Sequence, residues 1–317
     1  MAQANIGALN RRTSLKPRMF MRKYIWFYIL LIPAIVYFVI FKYLPMVGLV
    51  MAFKDISIAE GMKGIFTGEW VGLKHFYRFF NSPNAWRLIR NTLQISLLQI
   101  VWGFPIPIIL AIMMSEVRKG RVQKTIQTIS YLPHFISWVV ASGLVVNLLT
   151  TNGGVVNEVL KALGKDPIMF LGNPKYFRSI LVVSNLWKEV GWNTIIYVAA
   201  ITSVDESLYE AAYIDGASRF QQVIHITIPS ISFIIAMMFV LQAGSILDAG
   251  FEQIFLLYSE AVYEVGDIID TYVYRAGLQQ MDYSYATAVG LFKSVVSLIV
   301  VVGVNAGVKK LGYEGIW

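Results

Sequence analysis

The chain has 317 residues, of which 56% are apolar and 15% charged, with a formal net charge of +8. Soluble domains run at roughly 45–50% apolar and about 25% charged, so a cytosolic enzyme, a coiled coil and a disordered tail are excluded and the expected solvent is largely lipid. Cysteine is absent, which removes disulfides, thiolate metal sites and Cys nucleophiles.

A bilayer core of about 30 Å takes about 20 mostly apolar residues in a helix. Six stretches qualify: residues 24–44, 93–114, 126–149, 177–201, 229–248 and 285–308. The tail 1–23 carries Arg11, Arg12, Lys16, Arg18, Arg22 and Lys23 and no acid. The first stretch holds Pro33 and lacks a small-x-small cleavage site, so it reads as a retained anchor and not as a signal peptide. The turn after the second stretch carries Arg118, Lys119, Arg121 and Lys124, and the tail 309–317 begins with Lys309 and Lys310. The positive-inside rule places these in the cytoplasm. Both termini are then inside and the six-span domain covers 24–308. Residues 251–282 fall outside, with Glu252, Glu260, Glu264, Asp267, Asp270 and Asp282 against Arg275. Residues 54–85 and 150–176 should also be outside, yet they carry Lys54, Lys63, Lys74, Arg78, Lys161, Lys165 and Lys175. Pro33, Pro105, Pro107 and Pro133 are expected to kink their helices, either as packing geometry or as the walls of a path that opens and closes.

In the third stretch, His134 and Trp138 are i, i+4 neighbours. The fourth stretch places Lys188 and Glu189 near mid-depth, where each charge costs ~2.5–3.5 kcal/mol on insertion scales. Asn185, Lys188, Glu189 and Trp192 follow i, i+3, i+4, i+7 and share one helical face. With Asn193 and Trp138 they supply the polar and aromatic groups that bind sugars, and Lys188 admits an acidic sugar such as a uronate. The alternative is an ion pair that only positions the helix.

Residues 203–228 form the most informative loop. Ser207 to Glu210 fits a capping box, Gly216 a left-handed helix stop, and Ser218 to Gln221 a second box. Pro229 is suited to the first turn of the next span. Two short helices joined at Gly216 are expected, presenting Tyr213, Ile214 and Phe220 to water. In the fifth stretch Gln242, Ser245 and Asp248 at i, i+3, i+6 form a polar strip; Asp248 equally fits a solvated position at the interface.

Glu210-Ala211-Ala212, three residues, Gly216, nine residues and Ile226-Thr227-Ile228-Pro229 resembles the E-A-A-x3-G-x9-I-x-L-P motif of bacterial ABC importer permeases, with Ile228 in place of Leu. Asn185 to Trp192 resembles the sugar-transporting branch. Leu132 to Trp138 and Gly153 to Asn157 resemble permeases for complex-polysaccharide oligosaccharides. The resemblance implies an all-α membrane protein of the type I ABC importer permease kind in a bacterial cytoplasmic membrane. It implies that Glu210, Ala211, Ala212, Tyr213, Asp215, Gly216, Arg219, Phe220 and Pro229 couple to a cytosolic ATPase. Asn185, Lys188, Glu189, Trp192, Asn193, Ser245, Asp248 and Trp138 are the candidate path. Implied partners are a second permease as a heterodimer, two ATPase subunits, an extracellular solute-binding protein, an oligosaccharide and membrane lipid, with no nucleic acid.

No phosphate loop, H-E-x-x-H or G-x-S-x-G is present, and the three histidines are scattered. The chain is therefore expected not to be an enzyme and to carry no cofactor or metal of its own, ATP and Mg belonging to the partner. Two other classes stay open: a membrane enzyme acting on lipid-linked sugar, with Glu189, Asp248 or His134 as acid or base, and a scaffold with no path.

Overall fold

The computed structural model describes residues 17–57, 60–117, 120–310 and 312. Arg11, Arg12, Lys16, Arg118 and Lys119, used above to orient the chain, lie outside the described residues. The chain divides into two compact units, Met1–Val50 and Met51–Trp317.

Helix α1 (Tyr24–Phe53) is apolar all round, and none of its most apolar window is buried. Such a helix needs lipid or another subunit as its surroundings. Pro33 sits inside it without a break. Further on, a π turn at Val39–Tyr43 precedes Leu44-Pro45, with the Leu44 N–H reaching Val39 O. Proline has no N–H to give, and its ring crowds the carbonyl four residues back; the wider turn makes the room. The same arrangement recurs at Val223–Thr227 before Ile228-Pro229, where the Ile228 N–H reaches Val223 O.

The second unit opens with strands β1 (Lys54–Asp55) and β2 (Glu69–Trp70), paired antiparallel, then α2 (Lys74–Phe80). Helices α3 (Ala85–Gly103) and α4 (Pro105–Glu116) form a 32-residue apolar run. It starts well before residue 93 because Arg87 and Arg90, which lower the hydropathy, are paired. Helices α5 (Arg121–Tyr131) and α6 (Trp138–Leu149) meet at 100°. Pro133 lies in the tight turn Leu132–Phe135, Ile136 is extended, and Ser137 Oγ restarts the helix by accepting the Val140 N–H. After α7 (Val155–Ala162) comes α8 (Pro174–Thr202), 29 residues long and capped by Asn173. Helix α9 (Glu206–Ile214) leads to α10 (Arg219–Ser230) and α11 (Ser232–Gly244), which meet at 62°. Pro229 therefore does not open the next helix: the π turn absorbs it within α10, and the break falls at Ile231. Short helices α12 (Phe251–Leu257) and α13 (Ile269–Tyr274) precede α14 (Tyr283–Lys310). Among the described residues three helices are long and apolar enough to cross a membrane, five if each bent pair is one crossing. Helix α8 has the length, but Asn185, Lys188, Glu189 and Asn193 make it less apolar than these.

Helix α8 organises the packing of this unit. At Gly191 an added Cβ would lie 1.9 Å from Ser130 O, so α8 and α5 touch backbone to backbone. At the other end the buried Phe177 ring lies on Gly266, where a Cβ would come within 2.3 Å of it. One apolar core gathers Ile95, Phe177, Leu181, Ile254 and Ile268; another gathers Ala111, Tyr197, Ile201 and Ile231. Gly191→Ala is expected to cost about 1–3 kcal/mol by overpacking, read as a lowered melting temperature of the purified complex. Gly143→Ala, where the methyl meets nothing within 4 Å, is the control and leaves it unchanged or higher.

Three acids of segment 251–282 are matched by bases, two of them far away in sequence. Asp282 accepts from Arg78 (2.6 Å), Glu264 from Arg90 (2.9 Å) and the buried Asp267 from Arg275 (2.6 Å). Asn91, fully buried, donates to Glu264 O and Asp267 O and accepts from Arg178. Burial opposes the Arg275 charge, but the hydrogen bond and charge of Asp267 outweigh it and the guanidinium is held above its ordinary pKa. Arg78, one of the bases that break the positive-inside count, is thus neutralised within the fold, and Lys74 likewise pairs with Asp55.

Candidate functional site

Helix α9 starts on Asp205, whose Oδ1 accepts the Ser207 N–H at 2.9 Å. The expected Ser207–Glu210 box does not form: Asp205 already stands where the chain is extended, which moves Ser207 into the first turn. That backbone hydrogen bond holds the Asp205 carboxyl below its ordinary range. The helix ends as expected at Gly216, with φ +79°. The Gly216 N–H returns to Tyr213 O (3.0 Å) and the Ala217 N–H to Ala212 O (2.9 Å), a complete Schellman stop. Ser218 and Gln221 then form the reciprocal capping box that opens α10.

The two helices are tied by Tyr209 OH to Thr227 Oγ1 at 2.9 Å, and Arg219 pairs with Glu116 at 3.7 Å. Tyr213 is 75% exposed, Ile214 83% and Phe220 73%. Glu210, Ala211, Asp215 and Pro229 are also exposed, and Ala212 is half-buried. A rigid bend with its large apolar side chains outward is a surface shaped to be covered.

The second cluster forms where the α5–α6 break meets α8. Lys188, 5% exposed, donates to His134 O (2.9 Å) and Glu189 Oε1 (3.0 Å) and lies 5.4 Å from the Trp138 ring centre. Glu189 Oε2 meets His134 Nδ1 at 2.7 Å. The His134 ring stacks on Trp192, centroids 4.3 Å apart and planes within 4°. Both charges of α8 are therefore satisfied inside the protein, and the broken helix is tied to α8. On the neighbouring face Asn185, Glu189 and Asn193 line a polar cleft of about 90 Å³ with Gln99, Gln242 and Ser245.

Asp248 does not continue a helical strip. Helix α11 ends at Gly244, and Asp248 lies in the turn beyond, 2.8 Å from Lys293 Nζ. Lys293 also donates to both oxygens of Asp270, at 2.8 and 2.6 Å. Sequence reasoning passed over Lys293, although it is a lone charge within an apolar stretch. The rule that singled out Lys188 applies to it equally.

A mainly helical chain with membrane-length apolar helices, a bent exposed hairpin and a polar cleft has the features of a transport permease. Residues 103–311 match the family of binding-protein-dependent transport system inner membrane components, and the chain belongs to that family, which is a transport component and not an enzyme. It is 45% identical over 307 residues to the polygalacturonan/rhamnogalacturonan transport system permease protein YteP of Bacillus subtilis (strain 168), covering 97% of this chain and 94% of that one. Its fold matches a chain of a bacterial ABC transporter involved in the import of the acidic polysaccharide alginate, with TM-score 0.85, 44% identity and coverage of 92% of this chain and 97% of that one. A structure of a bacterial alginate transporter in complex with alginate pentasaccharide-bound periplasmic protein matches with TM-score 0.85, 43% identity and coverage of 94% and 98%. The fold is that of a type I ABC importer permease.

Proposed function

We propose that this chain is one of two permeases in an ATP-driven importer of uronate-containing oligosaccharides. It crosses the cytoplasmic membrane six times with both termini inside. A solute-binding protein delivers the sugar from outside, and two ATPases dock from the cytosol, one of them gripping the 207–228 hairpin of this chain. The observation that carries this reading is the hairpin itself: a Schellman bend, a capping box and the Tyr209–Thr227 bond make it rigid, while Tyr213, Ile214 and Phe220 stay in water. A lever has to be stiff and has to be gripped. The similarity to alginate and polygalacturonan/rhamnogalacturonan permeases supports an acidic sugar as cargo. ATP binding would favour the state in which hairpin and cleft are rearranged together, because the two states bind ATPase and sugar unequally.

The test is co-purification after mild detergent extraction. A complex of this chain, one different permease and two ATPase chains is expected, and it should hydrolyse ATP faster when the loaded binding protein is added. A chain that purifies without an ATPase overturns the reading.

A further inference from the structure

We infer that Lys293 is the residue that meets a carboxylate of the transported sugar, and that Asp248 occupies that place while no sugar is bound. The inference rests on the uronate reading above and assigns its specificity to a residue. Lys293 lies ten positions into α14, roughly 15 Å along it at 1.5 Å per residue. A cation at that depth has to be partnered. Asp270 partners it with both oxygens and is itself mostly shielded, its side chain 22% exposed. This pair is neutral and anchored.

The third contact is different in kind. Asp248 offers a single oxygen from a side chain 72% exposed, on a turn and not on a helix. A carboxylate so open to water loses little when it lets go. The turn that carries it also carries Ser245, to whose carbonyl oxygen the Asp248 N–H bonds and which lines the polar cleft. Exchanging the Asp248 carboxylate for one from the sugar leaves the charge around Lys293 unchanged. The exchange therefore adds no desolvation of the lysine. Lys188 cannot take this role in this arrangement, since Glu189 and His134 O already hold its ammonium in a buried site.

The experiment uses the full complex in proteoliposomes, with saturating binding protein and two probes: trigalacturonate and its uncharged methyl ester. The binding protein's own preference is common to all variants and divides out. Asp248→Asn is expected to lower KM for trigalacturonate about threefold to tenfold, since it removes the resident competitor of a charge-assisted contact. Lys293→Gln combined with Asp270→Asn, which leaves no unpaired buried charge, is expected to lower trigalacturonate uptake at least about tenfold, with ester uptake held within about twofold. Co-purification with the ATPases shows that each variant is assembled. A raised KM in Asp248→Asn, or equal losses for both probes in the double variant, overturns the assignment and leaves the uronate reading standing. Wild-type complex that moves only the ester, or neither probe, overturns the uronate reading and the assignment with it.

Discussion

Gly216→Glu, alone or with Glu210→Lys, is expected to abolish the stimulation of ATP hydrolysis by loaded binding protein while the chain stays inserted in the membrane. Two effects add. Gly216 holds φ +79°, a conformation that costs a residue with a Cβ about 1–2 kcal/mol. The new side chain then projects from the bend into the surface proposed to be gripped, since an added Cβ meets no atom within 4 Å. Gly216→Asn separates the two, because Asn tolerates the left-handed conformation and brings no charge. It is expected to keep most of the stimulation. Stimulated turnover in Gly216→Glu equal to wild type would remove the hairpin from coupling. Full loss in Gly216→Asn as well would mean that the space beside the bend matters, and not its charge.

Glu189→Gln is expected to be strongly destabilising. It leaves Lys188 buried with its carbonyl contact but no counter-charge, a situation that typically costs about 3–5 kcal/mol. It also weakens the tie to His134, which holds the α5–α6 break against α8. Adding Lys188→Met removes the orphaned charge and is expected to recover most of the lost melting temperature of the purified complex. If the single variant melts like wild type, the pair contributes nothing to holding the break. If the double variant melts as low as the single, the loss comes from the carboxylate's other contacts and not from the stranded ammonium.

How much of this was readable follows from where each signal lives. Gly216 and the Ser218–Gln221 box were legible because their causes are local: a positive φ that suits glycine and a reciprocal bond within one turn. The start of α9 was misread because Asp205 and Ser207 are both good caps two residues apart, and sequence spacing does not say which one stands at the extended residue. Pro133 announced a break, but the 100° angle depends on Ser137 restarting the helix and on Gly191 letting α8 approach Ser130. The early start of α3 was hidden because hydropathy counts Arg90 as a stop. Its partner Glu264 is 174 positions away. Lys293 itself stood out as a charge in an apolar stretch, but its partners did not, since Asp248 and Asp270 lie 45 and 23 positions from it. The cluster of His134 on Trp192 combines residues that had each been singled out, yet their stacking is a property of the α5–α6 bend and of no spacing in the chain.

The π turn at Val223–Thr227 sets the heading of the whole hairpin. An α-helix turns about 100° per residue, so one surplus residue rotates everything on its far side by about that angle. Phe220 and α9 on one side and Ile228 to Ser230 on the other are thus turned from ordinary α winding by a fixed amount that accompanies Pro229. Deleting one residue from this turn would swivel the hairpin about its own axis relative to the bundle, aiming Tyr213 and Ile214 elsewhere and pulling Tyr209 away from Thr227. The direction in which Tyr213 and Ile214 point is thus set by a single residue next to a proline.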